Sequence, residues 1–170
     1  MYEIRKIPKS DIPQVLEIYA QGVEGGHSTF NTEVPTAESW DKSHLEICRI
    51  GAYDGDLLLG WRAIQPTSTR ECYKGVVEVS LYVRSGCQNK GVGSDIMARL
   101  VKESESLGIW TLYRAIFDTN KGSIRMCEKN GWRIVGKREN IAKNKFGLWQ
   151  STVIMERRSK TVGADSQANI

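Results

Sequence analysis

The sequence predicts a mixed α/β (α+β) fold: a mainly antiparallel central sheet with helices on both faces. Residues 76–108 read as a strand, a short turn and a helix in direct succession. Residues 50–64 read as a hairpin turned at Asp54-Gly55. Along the whole chain, periods of two and of 3.6 follow one another in the order βα(α)ββ–βα–βα–ββ. Such an order packs as one mixed sheet between helical layers.

Residues 2–7 open the chain as a strand. Ser10 and Asp11 can cap a helix that turns Ile12, Val15, Leu16, Tyr19 and Val23 inward, and Gly25-Gly26 ends it. A loop with Phe30 and Glu33 follows, then Thr36 caps a second helix carrying Trp40 and Leu45. Residues 66–73 form a loop that contains Arg70 and Tyr73. In the central strand, Val77, Val79, Leu81 and Val83 alternate with Glu78, Ser80 and Tyr82. The next helix repeats Val92, Ile96 and Leu100, and Gly108 is placed to stop it. Residues 110–117 form a strand, and Asn120 caps a helix that ends at Gly131. Residues 133–135 and 151–155 are the last two predicted strands. A single domain over 1–158 is expected, with 159–170 as a loose polar tail.

The chain has 170 residues, 40% of them hydrophobic and 26% charged, with a formal net charge of +4. That length supports a core without cross-links. The basic residues are scattered among 20 acids, which argues against a nucleic-acid surface. Cys48, Cys72, Cys87 and Cys127 show no zinc-ligand spacing, so no metal is expected. No apolar leader and no run of about 18 apolar residues occurs. A cytoplasmic setting with reduced thiols, away from membranes, is the expectation.

The turn Gln88-Asn89-Lys90-Gly91-Val92-Gly93, with Ser94 after it, lies between the central strand and its helix. Glycines there allow close backbone approach, and a helix N-terminus suits phosphate. Neither GxxxxGK[ST] nor GxGxxG is present. The turn matches [QR]-x-x-G-x-[GA]. About 30 residues on, the stretch from Asn120 through Ser123, Cys127, Glu128 and Lys129 to Gly131-Trp132 matches N-x-x-[SA]-x-x-x-[YH]-E-[KR]-x-G-[FYW], with Cys at the Tyr/His position. Together these resemble the GNAT (Gcn5-related) N-acetyltransferases. The segments Ser28 to Pro35 and Val77 to Val83, with Arg70, Tyr73 and Phe146 to Trp149, further resemble the phosphinothricin and methionine-sulfone N-acetyltransferase subfamily.

The resemblance implies a GNAT fold, acetyl-CoA as co-substrate, a small-molecule amine as acceptor, and a homodimer. It assigns the cofactor to Leu81, Tyr82, Val83, Gln88, Asn89, Lys90, Gly91, Val92, Gly93, Ser94, Asn120, Ser123 and Lys129. Phe30, Glu33, Arg70 and Tyr73 are the candidate acceptor contacts, Arg70 as a fork for a carboxylate. Amine acetylation needs a base, donors for an oxyanion, and a tolerated leaving thiolate. Glu78 is the candidate base; its alternative is a solvated or ion-paired strand acid. Cys127 is a candidate acid for the thiolate or a small apolar helix residue. Other amines (a polyamine, an antibiotic or a protein N-terminus), and a non-catalytic acyl-CoA sensor, are competing readings. Trp149 is followed by Gln150-Ser151 where the subfamily reads W-x-D.

Overall fold

The computed structural model describes residues 1–164. Seven strands form one sheet: β1 (Glu3–Lys6), β2 (Ile50–Asp54), β3 (Leu57–Pro66), β4 (Val76–Val83), β5 (Thr111–Phe117), β6 (Arg133–Lys143) and β7 (Trp149–Arg158). Their spatial order is β1-β2-β3-β4-β5-β7-β6. Every neighbouring pair is antiparallel except β4–β5, which is parallel. The helices are α1 (Ile12–Gly25), α2 (Ala37–Ser43), α3 (Val92–Ser106) and α4 (Lys121–Lys129).

Alternation along the strands decides which helix covers which face. Val77 and Val79 of β4 join Met97 and Leu100 of α3, Ile124 and Cys127 of α4, and Leu112 and Ile116 of β5 in one cluster. On the other face, Tyr82 packs against a cluster that holds Ile18 and Tyr19 of α1, Trp40 of α2 and Trp61 of β3. Leu100 is wholly buried, so Leu100→Ala would cost about 2–5 kcal/mol. Thr36 accepts from the Ser39 N–H, and Asn120 Oδ1 accepts from the Ser123 N–H at 3.1 Å. Both caps lie where the sequence puts them.

The last strands are longer than the pattern indicates. β6 extends through Gly136-Lys137-Arg138-Glu139-Asn140, which has no apolar alternation. Its pairing with β7 sustains it, with register shifts at Ile134/Gly136 and at Arg138/Ala142. Ser159, at the start of the expected tail, is buried, and its hydroxyl donates to Glu105 Oε1 at 2.9 Å. Of the expected tail, residues 165–170 lie outside the described residues. Among the described residues, no helix is long and apolar enough to cross a membrane, and no group of three or more His, Cys, Asp or Glu could hold a metal ion.

Candidate active site

The parallel pairing of β4 with β5 covers Val76↔Thr111, Val77↔Leu112 and Glu78↔Tyr113, and goes no further. Beyond Glu78, β4 stays paired only with β3, as far as Gly60↔Val83. The strands therefore splay, and the free edge of β4 offers backbone donors and acceptors to a cleft. Two cavities open from it.

The first is about 530 Å³. Leu81, Tyr82 and Val83 form its β4 wall, and Gln88, Asn89 and Gly91 its turn. Gly93 and Ser94 of α3 and Asn120, Ser123 and Lys129 on or beside α4 close it. Gly91, the N-cap of α3, has φ +87°, and among the described residues no side chain caps that helix start. The first-turn N–H groups and the positive end of the helix dipole are thus left for an anion. Gly22 of α1 lines the opposite wall, where a Cβ would meet Tyr82 Cε1 and Ser28 Oγ at 2.9 Å each. Asn120 spends its Oδ1 on the helix cap, and its Nδ2 has no acceptor among the described residues. A polar strand edge, an uncapped helix start and a free amide donor fit a long ligand with phosphates at one end and amides along its arm.

The second cavity is about 460 Å³ and holds Glu78. Gln65, opposite Glu78 on β3, donates from Nε2 to Glu78 Oε2 at 3.1 Å. Aromatic rings wall the space. Tyr82 stacks on Trp61 at 5.2 Å and meets Tyr19 edge-on at 5.1 Å, and Phe30 lies 4.6 Å from Phe117. Burial drives the Tyr82 phenol far above its ordinary range, so it keeps its proton at neutral pH. Burial also holds the His44 imidazole below the usual histidine range. Its Nδ1 lies 2.9 Å from both the Trp40 carbonyl and Ser43 Oγ. Leu81, Tyr82, Asn120 and Ser123 line both cavities and mark where they meet.

The model of the Acetyltransferase (GNAT) family matches residues 12–132. The chain belongs to that family. It is an acetyl-CoA-dependent N-acetyltransferase. It is 26% identical over 166 residues to a phosphinothricin N-acetyltransferase of Streptomyces coelicolor, covering 91% of this chain and 95% of that one. It is 24% identical over 159 residues to an L-methionine sulfoximine/L-methionine sulfone acetyltransferase of Pseudomonas paraeruginosa, covering 90% and 92%. The fold is similar to the crystal structure of a GNAT phosphinothricin acetyltransferase from Sinorhizobium meliloti in complex with acetyl-CoA. There the TM-score is 0.84 at 22% identity, with 97% of each chain covered.

In this GNAT chain several sequence candidates fall outside both cavities. Lys90 is exposed and lines neither. The Val92 side chain is buried among Ile50, Ala52 and Ile96, so it can offer a ligand only its backbone. Cys127 is fully buried in the core, and burial pushes its thiol up, against the pull of Arg114. Its sulfur lines neither cavity and sits behind Arg114, whose Nη1 donates to it at 3.4 Å. Arg70 and Tyr73 lie on an exposed 3-10 turn, with the guanidinium 5.3 Å from the ring centre. Glu33 is exposed as well. None of the three lines the second cavity: Arg70 and Tyr73 follow β3, and Glu33 lies on the loop between α1 and α2. Phe30 and Glu78 do line it. His44, Gln65 and Arg114 join them there, and the sequence reading passed over all three.

Proposed function

We propose that the enzyme acetylates the amino group of a small amino acid of the phosphinothricin, methionine-sulfone or methionine-sulfoximine type, by direct transfer, with Glu78 as general base. One observation carries this reading. A carboxylate stands in a cavity of amino-acid size that adjoins a longer cavity with an uncapped helix start. The names of the relatives supply the acceptor class, and the Glu78–Gln65 pair supports the role of the base.

Bound acetyl-CoA supplies the acetyl group as a thioester. The N–H groups of the first α3 turn hold its phosphates, with Gly91 granting close approach. The Asn120 amide and the free edge of β4 bind its arm. Glu78 takes the proton that the attacking amine must lose, directly or through a water. Backbone N–H groups at Leu81–Val83 offer donors to the oxyanion that develops. The Tyr82 hydroxyl, held protonated at the junction, is a further donor there. Aromatic walls exclude water, which strengthens each of these interactions.

A homodimer belongs to the same reading. Ile134, Val135 and Ile141 on β6, with Phe146, Leu148 and Trp149 beside it, are all about half-exposed or more. An apolar group of that extent fits an interface between copies. Light scattering during gel filtration checks the mass, and a monomer at micromolar concentration would end this part.

The function is tested by release of CoA thiol from acetyl-CoA with phosphinothricin, methionine sulfone, methionine sulfoximine, spermidine and a short peptide. Release with the three amino acids alone is the expected result. Release only with spermidine or the peptide would overturn the acceptor class. No release, with acetyl-CoA still raising the melting temperature, would favour a non-catalytic sensor.

A further inference from the structure

The lining of the acceptor cavity contains one carboxyl side chain, Glu78, and one guanidinium, Arg114. Arg114 lies mid-strand on β5, between Leu112 and Ile116, on the face that packs against α4. It is only 9% exposed. The one hydrogen bond of its side chain among the described residues runs from Nη1 to Cys127 Sγ at 3.4 Å. A thiol is a weak acceptor and carries no compensating charge. Among the described residues, no Asp or Glu oxygen lies within salt-bridge distance of Arg114, although the other largely buried arginines are paired, Arg49 with Asp41 and Arg62 with Glu103. A guanidinium out of water without an anion is costly. Thr152, 3% exposed on β7, lines the same cavity, and its Oγ1 has no partner among the described residues. The cavity passes through the splay of β4 and β5, so Glu78 reaches it from the α1/α2 face and Arg114 from the α3/α4 face.

We infer that Arg114 binds the carboxylate of the acceptor, in place of the exposed Arg70, so that the two lining groups match the two ends of an amino-acid zwitterion. The inference rests on the amino-acid reading of the function and names the residue that selects for it. Arg114 supplies two or more N–H donors to a carboxylate in a low-dielectric cleft, which places the α-amino group toward Glu78. Cys127 follows from the same geometry. A larger residue on that turn of α4 would occupy the space into which the guanidinium packs.

The test compares methionine sulfone with its carboxamide, in the wild-type enzyme and in Arg114→Met and Arg114→Lys. Methionine keeps the length of the side chain and removes the charge. Wild type is expected to favour the acid in kcat/KM. In Arg114→Met the KM for the acid rises about 10- to 100-fold, the preference over the amide collapses, and the KM for acetyl-CoA stays put. Arg114→Lys recovers part of the preference. In binding, methionine sulfone raises the melting temperature of the CoA-loaded wild type and not that of Arg114→Met. An acid preference that survives in a folded Arg114→Met overturns the inference while leaving the amino-acid reading intact. Wild type that favours the amide in both rate and binding overturns it as well. Wild type that ignores amino acids but takes 2-aminoethylphosphonate, with that activity lost in Arg114→Met, keeps Arg114 as the anion site and ends the amino-acid reading instead.

Discussion

Gln65 and Glu78 face each other across the β3–β4 pair, and the Gln65 amide fixes one oxygen of the Glu78 carboxylate at 3.1 Å. That bond leaves the other oxygen for a substrate proton. Gln65→Leu removes the orienting donor, a hydrogen bond worth about 1 kcal/mol. The expected outcome is a fall in kcat of roughly fivefold, with the KM for acetyl-CoA unchanged. Steady-state kinetics with both substrates varied checks it.

Gly91 starts α3 at φ +87°. Valine there costs about 1–2 kcal/mol and crowds the uncapped N–H groups. Gly91→Val should melt roughly 2–8 °C lower. Its affinity for CoA, measured by calorimetry, should fall more than tenfold. A variant that melts lower yet binds CoA normally would show that this turn does not hold the phosphates.

Burial of His44 lowers its proton affinity in the folded state. The unfolded chain then binds more protons near the ordinary histidine value of about 6.5, so stability rises with pH there. The His44 contribution is complete above about pH 6.5 and is lost as pH falls through the lower folded value. Melting curves from pH 7.5 to 5 should therefore decline, and His44→Gln should flatten that decline. Asp41, held low by its hydrogen bond from Arg49, loses its contribution only below the usual carboxylate range.

Cys127→Ala trims a core sulfur. It should cost about 1 kcal/mol of stability and leave kcat within about threefold. A much larger loss of kcat, with the fold intact, would restore the sulfur to the chemistry.

The parts of the fold that were legible are those where one face is apolar at a fixed period. Val77, Val79 and Leu81 marked β4, and Val92, Ile96 and Leu100 marked α3. β6 was cut short because Lys137 to Asn140 have no buried side, and cross-strand pairing alone makes them a strand. In the site, Glu78 stood out as an acid inside an alternating strand, and the turn at Gly91 as a glycine-bearing entry to a helix. His44, Gln65 and Arg114 come from three different elements. Only the splay of β4 and β5 brings them to one cavity. Arg114 read as an ordinary strand residue because its partner lies on α4, 13 positions away. Arg70 looked suited to a carboxylate, but the direction in which a loop points is a tertiary property.

The most direct measurement is the single-turnover rate of acetyl transfer to methionine sulfone by wild type and by Glu78→Gln, both loaded with acetyl-CoA, from pH 6 to 9. With Glu78 as base, the variant should be slower by about 10²–10⁴-fold at equal acetyl-CoA affinity, and the low-pH limb of the wild-type profile should vanish. A Glu78→Gln enzyme that transfers acetyl at the wild-type rate with the same pH profile would contradict the account at its centre.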